Sequence, residues 1–167
     1  TVTKDQRQIG KVQELMLQLQ QARLPGVREF APGYRSLLVV FDPLTLSPSE
    51  LKARITEVAG RTGSAGLPQA KLLTVPVFYG GEYGPDLEGV AGHLGISTDE
   101  VIRLHTETMY RVYMIGFTPG YPYMGELPAA LAVPRRSTPR TRVPKGAVGI
   151  AQRQTGIYSV ESPGGWQ

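Results

Sequence analysis

Apolar residues recur at three- and four-residue spacing over residues 5–23, a pattern that predicts an amphipathic helix with one apolar stripe. Pro25 and Gly26 mark its end. A second helix is predicted after Ser47, because Glu50 follows three residues later and completes a capping box. The apolar stripe of the first helix consists of Ile9, Val12, Leu15, Met16 and Leu19.

Strands are predicted between and after these two helices. Residues 27–30 predict a short strand. The continuous apolar run over residues 36–41 is typical of a strand buried on both faces. Residues 72–79 predict a further strand, with Pro76 at an edge or a bulge. Residues 62–69 are rich in glycine and serine and predict a loop. The order helix, strand, strand, helix, strand lacks only a leading strand to be a split βαβ, ferredoxin-like unit.

The pattern changes after residue 80. Residues 85–94 and 97–107 predict two short helices, the second capped by Ser97 or Thr98. From Tyr110 onward the chain alternates short apolar runs with turns dense in proline and glycine, which favours a small β-barrel. Proline fixes φ and glycine opens positive φ, so such loops hold one shape at low entropic cost.

Composition narrows the class of protein. The 167 residues are 41% hydrophobic and 19% charged, as expected of a soluble globular protein with one large or two small domains. No apolar run approaches the roughly 20 residues of a membrane helix, and no signal-peptide core is present. The chain has no cysteine and two histidines, which excludes thiol chemistry and leaves little room for a metal centre. We therefore expect a cytoplasmic protein without a metal or a membrane partner.

The net charge of +4 is concentrated in one segment. Residues 127–160 contain no acid and six bases, namely Arg135, Arg136, Arg140, Arg142, Lys145 and Arg153. Nucleic acid is one class of partner for a basic patch. We expect none here, because this patch is short and lies among prolines instead of on a recognition helix. An anionic small molecule or the acidic face of a partner protein fits better.

Three arginines in this segment are candidate ligand-binding residues. Arg136, Arg140 and Arg142 lie within seven residues, and a guanidinium group presents a planar fork suited to carboxylate or phosphate. Arg140 and Arg142 point to the same face if the segment is an extended strand. A solvated strand face is the alternative interpretation.

Other polar and aromatic residues allow more than one interpretation each. His105 ends a predicted helix and is either a general base, a hydrogen-bonding anchor or a residue favoured by the helix dipole. Glu161 is either an acid–base group or the ion-pair partner of an arginine. Phe117, Tyr121 and Tyr123 alternate with prolines, as core residues or as a ligand wall. The sequence contains no nucleotide-binding loop and no nucleophile elbow, so its residues and motifs do not by themselves identify a reaction.

Taken together, the dense motifs resemble the KipI / PxpB family, also called allophanate hydrolase subunit 1. The motifs cover residues 116–123, 134–144, 154–158 and 161–166, and residues 32–39 and 75–87 match as well. The resemblance spans nearly the whole chain. It implies an α+β protein with an N-terminal ferredoxin-like domain, residues 1–72, followed by a cyclophilin-like β-barrel domain, residues 73–167. Members normally begin with an earlier strand and continue with later ones, so the chain is expected to be incomplete at both ends.

The family resemblance implies two roles. One is the B subunit of a heteromeric ATP-dependent 5-oxoprolinase, which opens 5-oxoproline to glutamate together with the A and C subunits. The other is inhibition of a sensor histidine kinase, and related domains occur in urea amidolyase enzymes. Of these we favour the 5-oxoprolinase role. ATP is then expected on another subunit and no cofactor on this chain.

The resulting hypothesis places all candidate residues around one pocket. The arginines Arg136, Arg140 and Arg142 would bind a carboxylate or a phosphorylated intermediate. His105 and Glu161 are the acid–base candidates. The pocket wall would consist of Phe117, Tyr121, Tyr123 and Gln154.

Overall fold

The computed structural model of the chain describes residues 4–60 and 69–167. The chain divides into two compact units, Thr1–Leu72 and Leu73–Gln167. Of the loop predicted over residues 62–69, all but residue 69 lies outside the described residues. Within the described part of the chain, no helix is both long and apolar enough to cross a membrane.

The first unit contains two helices and a two-stranded antiparallel hairpin. The hydrophobic stripe of the first helix is confirmed, because Ile9 and Leu19 are buried. The second helix packs against the first and buries Leu51 and Val58. In chain order the elements are α1 (Lys4–Ala22), β1 (Val27–Pro32), β2 (Leu37–Phe41) and α2 (Pro48–Gly60).

The predicted capping box at the start of α2 is confirmed. The backbone N–H of Glu50 donates to Ser47 Oγ at 3.3 Å, and the backbone N–H of Ser47 donates to Glu50 Oε2 at 3.0 Å. Two donors that the first helical turn leaves unpaired are thus satisfied reciprocally.

One strand prediction is wrong in its burial, and another is wrong altogether. Strand β2 is not buried on both faces, since Leu38 and Val40 are 62% and 39% exposed. Successive side chains of a strand point to opposite faces, and a two-stranded hairpin leaves one face without a covering layer. Residues 72–79 form no strand at all. Pro76 removes a ladder donor there, and Phe78 is 83% exposed.

The second unit combines two helices with antiparallel sheets, so the α+β class is confirmed. A 3-10 turn, Gly81–Tyr83, precedes the helices. The elements are α3 (Leu87–Leu94), α4 (Thr98–Thr106), β3 (Arg111–Ile115), β4 (Pro122–Gly125), β5 (Arg140–Val143), β6 (Val148–Ala151), β7 (Gln154–Ile157) and β8 (Ser162–Gly164). The four-stranded sheet has the order β3-β4-β7-β6, and β5 pairs with β8 in a separate two-stranded sheet.

One apolar core joins the helices of the second unit to its sheet. Ser97 caps α4 by accepting the backbone N–H of Glu100 at 3.1 Å, as predicted. The capped helix presents Val101 to this core. The other buried members are Val90, Ala91, Leu127, Leu131, Val133 and Ile150. The helices are therefore fixed against the sheet, and the segment that enters α3 has a defined position.

Candidate functional site

Asp86 lies at the N-cap position of α3, but its carboxylate does not cap the helix. It accepts hydrogen bonds from two guanidinium groups instead. Arg136 Nη1 donates to Oδ1 at 2.8 Å. Arg140 donates through Nη1 to Oδ2 at 2.6 Å and through Nη2 to Oδ1 at 2.7 Å, a bidentate geometry that fixes the plane of both groups. These three residues are called the arginine–aspartate cluster below.

The two arginines are held by different kinds of backbone. Arg140 is the first residue of β5 and pairs in register with Gly164 of β8. Arg136 lies in the irregular segment before β5, where its backbone N–H donates to the carbonyl of Gly165 at 2.8 Å. Arg140 is thus anchored to the last residue of β8 and Arg136 to the residue after it, whereas Asp86 lies 50 residues before Arg136, at the start of α3.

The arginine–aspartate cluster carries a net positive charge, because one carboxylate faces two guanidinium groups. The side chains are partly accessible, at 19% for Asp86, 31% for Arg136 and 30% for Arg140. Hydrogen bonds to Asp86 raise the pKa of Arg140, so this group stays protonated. A partly desolvated site with one excess positive charge is suited to binding an oxyanion.

Four aromatic rings surround Tyr121, which is 2% exposed. The centroids of Tyr123, Tyr158, Phe117 and Trp166 lie 5.0, 5.2, 5.4 and 6.0 Å from that of Tyr121, all in edge-to-face geometry. Such edge-to-face pairs add stability beyond the burial of their area. These five residues form the aromatic cluster.

Tyr158 joins the aromatic cluster to the arginine–aspartate cluster. Its hydroxyl lies against Gly164, the residue that pairs with Arg140, and it accepts the backbone N–H of Trp166. Burial raises the pKa of Tyr158, while the charge of Arg140 acts in the opposite direction. The two clusters therefore adjoin through Tyr158, which is itself buried.

Phe117 is the exposed member of the aromatic cluster. Its ring is 58% exposed, and its φ of 65° lies in the left-handed region that bulky residues rarely adopt. The turn around it is closed by backbone bonds from Thr118 to Gly116 and from Tyr121 to Thr118. Ser159 Oγ also donates to the carbonyl of Pro119 at 2.6 Å. This turn therefore holds an aromatic ring in solvent at some cost in backbone strain.

His105 belongs to a different, buried group in the second unit. Thr155 Oγ1 donates to the carbonyl of Gly149, so it accepts a hydrogen bond from His105 Nε2 at 3.1 Å. His105 Nδ1 then carries no proton, and it accepts a hydrogen bond from the hydroxyl of Tyr79. Because both ring nitrogens are occupied and the residue is 8% exposed, the arrangement favours an anchor over a general base.

The buried histidine makes the stability of the chain depend on pH. Burial lowers the pKa of His105 below its ordinary value of 6.5, so below about pH 6.5 the unfolded chain binds a proton that the folded chain does not. We expect the free energy of unfolding to fall as the pH drops from 6.5 to 5, by up to about 1.4 kcal/mol per pH unit. Urea denaturation at several pH values measures this. His105→Gln should flatten the slope and His93→Gln should not, since His93 is exposed; equal slopes in both variants would contradict the prediction.

Arg142 and Glu161 do not join the arginine–aspartate cluster. Arg142 Nε pairs with Glu161 Oε2 at 2.7 Å, and these side chains are 76% and 49% exposed. Arg140 and Arg142 have different acidic partners, and the β5–β8 register shifts between Arg140 and Val143, so the common face expected for the two arginines stays a prediction. Such an irregularity re-aims the side chains of the strand that carries it.

The remaining predicted residues separate into groups. Arg136 and Arg140 lie together, and Phe117, Tyr121 and Tyr123 lie in the adjoining aromatic cluster. Gln154 is on β7, in register with Gly125 of β4 and Ala151 of β6. The hydrogen bonds and ion pairs of His105 and Glu161 do not link either residue to the arginine–aspartate cluster.

Several residues of the site carry no clear signal in the sequence. Asp86 lies inside the helix predicted over residues 85–94, and nothing in the sequence links it to the arginines. Tyr158 ends the motif of residues 154–158 that carries the family resemblance, where the sequence predicts no role for it. Thr155 and Tyr79 become informative only once the fold brings them to His105. Among the described residues, no group of three or more histidine and acidic side chains is arranged to hold a metal ion.

The family model for the carboxyltransferase domain, subdomain C and D, matches residues 2–167. The chain therefore belongs to this family, and the resemblance to the KipI / PxpB family is confirmed. It is 39% identical over 168 aligned residues to the 5-oxoprolinase B subunit of Bacillus subtilis, covering 95% of this chain and 70% of that protein. It is 42% identical over 147 residues to the 5-oxoprolinase B subunit of Escherichia coli O157:H7, covering 86% and 66%.

Solved structures share the fold. The protein TTHA0988 superposes with a TM-score of 0.80 at 39% identity, over 99% of this chain and 31% of that one. The urea amidolyase of Kluyveromyces lactis gives a TM-score of 0.70 at 17% identity, over 100% of this chain and 12% of that one. At that identity the second likeness shows the fold alone. This chain thus spans about two thirds of its curated relatives and less than a third of these larger proteins.

Proposed function

We propose that this chain is part of the B subunit of a heteromeric 5-oxoprolinase, the enzyme that opens 5-oxoproline to glutamate with hydrolysis of ATP. The observation that carries the proposal is the partly accessible, cationic arginine–aspartate cluster, which adjoins the aromatic cluster through Tyr158. Relatives bearing this name over most of the chain support it. We also propose that the first unit has a ferredoxin-like fold and that the second has a cyclophilin-like fold.

The substrate explains both halves of the site. 5-Oxoproline carries a carboxylate on a small ring, so the excess positive charge of the cluster of Arg136, Arg140 and Asp86 would attract it. The exposed ring of Phe117 would pack on the apolar edge of the substrate. A phosphorylated intermediate offers the same guanidinium groups an oxyanion of higher charge. In this proposal His105 supports the sheet instead of transferring a proton.

The activity requires partner subunits. The sequence contains no phosphate-binding loop, so ATP binds on another subunit. The A and C subunits would supply the nucleotide and the remaining catalytic groups, and this chain is a non-autonomous component. The protein would act in the cytoplasm, where ATP and glutamate are available.

Reconstitution tests the proposed function. The full-length protein is mixed with its cognate A and C subunits, 5-oxoproline and ATP, and glutamate and ADP are measured. We expect turnover only with all three proteins present. Arg140→Gln should lower kcat/KM by about 10- to 100-fold, because it removes the excess positive charge of the cluster and the charge-assisted bonds that hold Asp86, each worth roughly 1.5–3 kcal/mol.

Arg142→Gln is the matched control, because Arg142 is an exposed arginine two residues away whose partner is Glu161. It should change kcat/KM less than threefold. Absence of glutamate with every component folded and assembled would overturn the proposed function. Inhibition of a sensor histidine kinase would then be the next activity to assay.

A further inference from the structure

Arg136 and Arg140 are bound to Asp86 unequally. Arg140 uses two nitrogens and occupies both carboxylate oxygens, whereas Arg136 uses Nη1 alone and shares Oδ1 with Arg140. If the bond from Arg136 were released, both oxygens of Asp86 would still accept a hydrogen bond from Arg140. The carboxylate therefore depends on Arg140 and can spare Arg136.

Arg136 also has an unsatisfied donor. Its Nε atom is buried and has no hydrogen-bond partner among the described residues, although the side chain as a whole is 31% exposed. A buried cationic N–H without an acceptor is unfavourable, and such groups are rare in folded proteins. The Nε–H and the neighbouring Nη2 form the side-on edge of the guanidinium group, which suits bidentate contact with a carboxylate or a phosphate.

The two arginines also differ in the support of their backbone. Arg140 belongs to β5 and is held by the ladder to β8. Arg136 lies outside any strand, and its backbone N–H donates to the carbonyl of Gly165. Arg136 is therefore the arginine with the less regular backbone support and with a single bond to Asp86.

We propose that Arg136 is the ligand-binding arm of the cluster, and that Arg140 and Asp86 are positioning residues. On binding, Arg136 exchanges its single bond to Asp86 for a bidentate contact with an oxyanion through the Nε–Nη2 edge. The ligand is a carboxylate or a phosphoryl group, and its negative charge balances the excess positive charge of the arginine–aspartate cluster. This inference rests on the proposed function for its choice of ligands, because 5-oxoproline and a phosphorylated intermediate are the two sources of that chemistry.

Arginine side-chain NMR on the full chain tests the inference. The Nε–H signals are recorded in a sample labelled with ¹⁵N-arginine, and Arg136→Lys identifies the Arg136 signal by its loss. Titration with 5-oxoproline or with inorganic phosphate should shift this signal saturably and leave the Arg140 signal in place. Titration with 2-pyrrolidone, which has the ring and no carboxylate, should leave both unchanged.

Calorimetry with the same ligands supplies the affinity. Arg136→Lys keeps the positive charge but loses the paired N–H donors of the guanidinium group, so it should weaken binding at least tenfold. Arg142→Lys should weaken binding less than twofold. If the Arg136 signal shifts with phosphate and not with 5-oxoproline, the result supports the site and identifies its ligand as a phosphoryl group. An unmoved Arg136 signal, or equal shifts of Arg136 and Arg140, overturns the inference even if the reconstituted enzyme is active. If Arg136 binds the anions while reconstitution yields no glutamate, the inference stands and the proposed function falls.

Discussion

Gly156→Ala is expected to lower the free energy of unfolding by about 3 kcal/mol, the upper end of the range for overpacking a well-filled core. Gly156 lies on β7, a central strand, and a Cβ atom there would stand 2.6 Å from Tyr121 Cζ and 2.8 Å from Cε1. Tyr121 is enclosed by four other rings, so it has no space into which to retreat. Urea denaturation followed by the fluorescence of Trp166, the only tryptophan, measures the change.

Gly92→Ala is the matched control for this substitution. Gly92 lies in α3, and a Cβ there would meet nothing within 4 Å. Alanine should leave the urea midpoint of unfolding unchanged or raise it, since glycine is the poorer helix former by about 1 kcal/mol. The close packing of the aromatic cluster would be refuted by an unfolding midpoint of Gly156→Ala equal to that of the unsubstituted protein.

Asp86→Ala is the second large effect that we expect, a loss of about 2 kcal/mol of stability. Removing the carboxylate leaves two guanidinium groups facing each other without a partner. Breaking a fully buried ion pair in this way costs about 3–5 kcal/mol. The smaller value applies here because 19–31% of each side chain is exposed, and solvent screens the charges.

Salt and a second ion pair distinguish this electrostatic effect from a general loss of packing. Raising the salt concentration to about 1 M shortens the screening length to about 3 Å and should recover part of the lost stability. Glu161→Ala breaks the exposed pair with Arg142 and should cost less than about 1 kcal/mol. Equal losses for Asp86→Ala and Glu161→Ala, both insensitive to salt, would contradict the role given to Asp86.

The sequence predicts the helices of this chain better than its strands. Helices carry their signals locally, as the Ser47 capping box and the Ser97 cap illustrate, and both are confirmed. A strand depends on what lies beside it. Residues 72–79 have the composition of a strand and form none, because a run of apolar residues does not specify a partner for its backbone.

The candidate site is partly visible in the sequence for a related reason. The arginines and the aromatic residues lie in dense motifs, so they can be singled out as candidates. Their partner cannot, because Asp86 is 50 residues from Arg136 and lies in the sequence as one residue of a predicted helix. The shift in register that separates Arg140 from Arg142 is likewise a property of the paired strands and not of either one.

The left-handed backbone at Phe117 has a consequence for molecular recognition. Residues other than glycine lose roughly 1–2 kcal/mol in this conformation, so the surrounding turn and its bond to Ser159 must enforce it. The backbone at residue 117, and with it the direction in which the side chain leaves the main chain, is consequently settled when the protein folds. Any molecule that stacks on the ring meets a residue whose backbone entropy has already been lost, and more of the contact energy then appears as affinity.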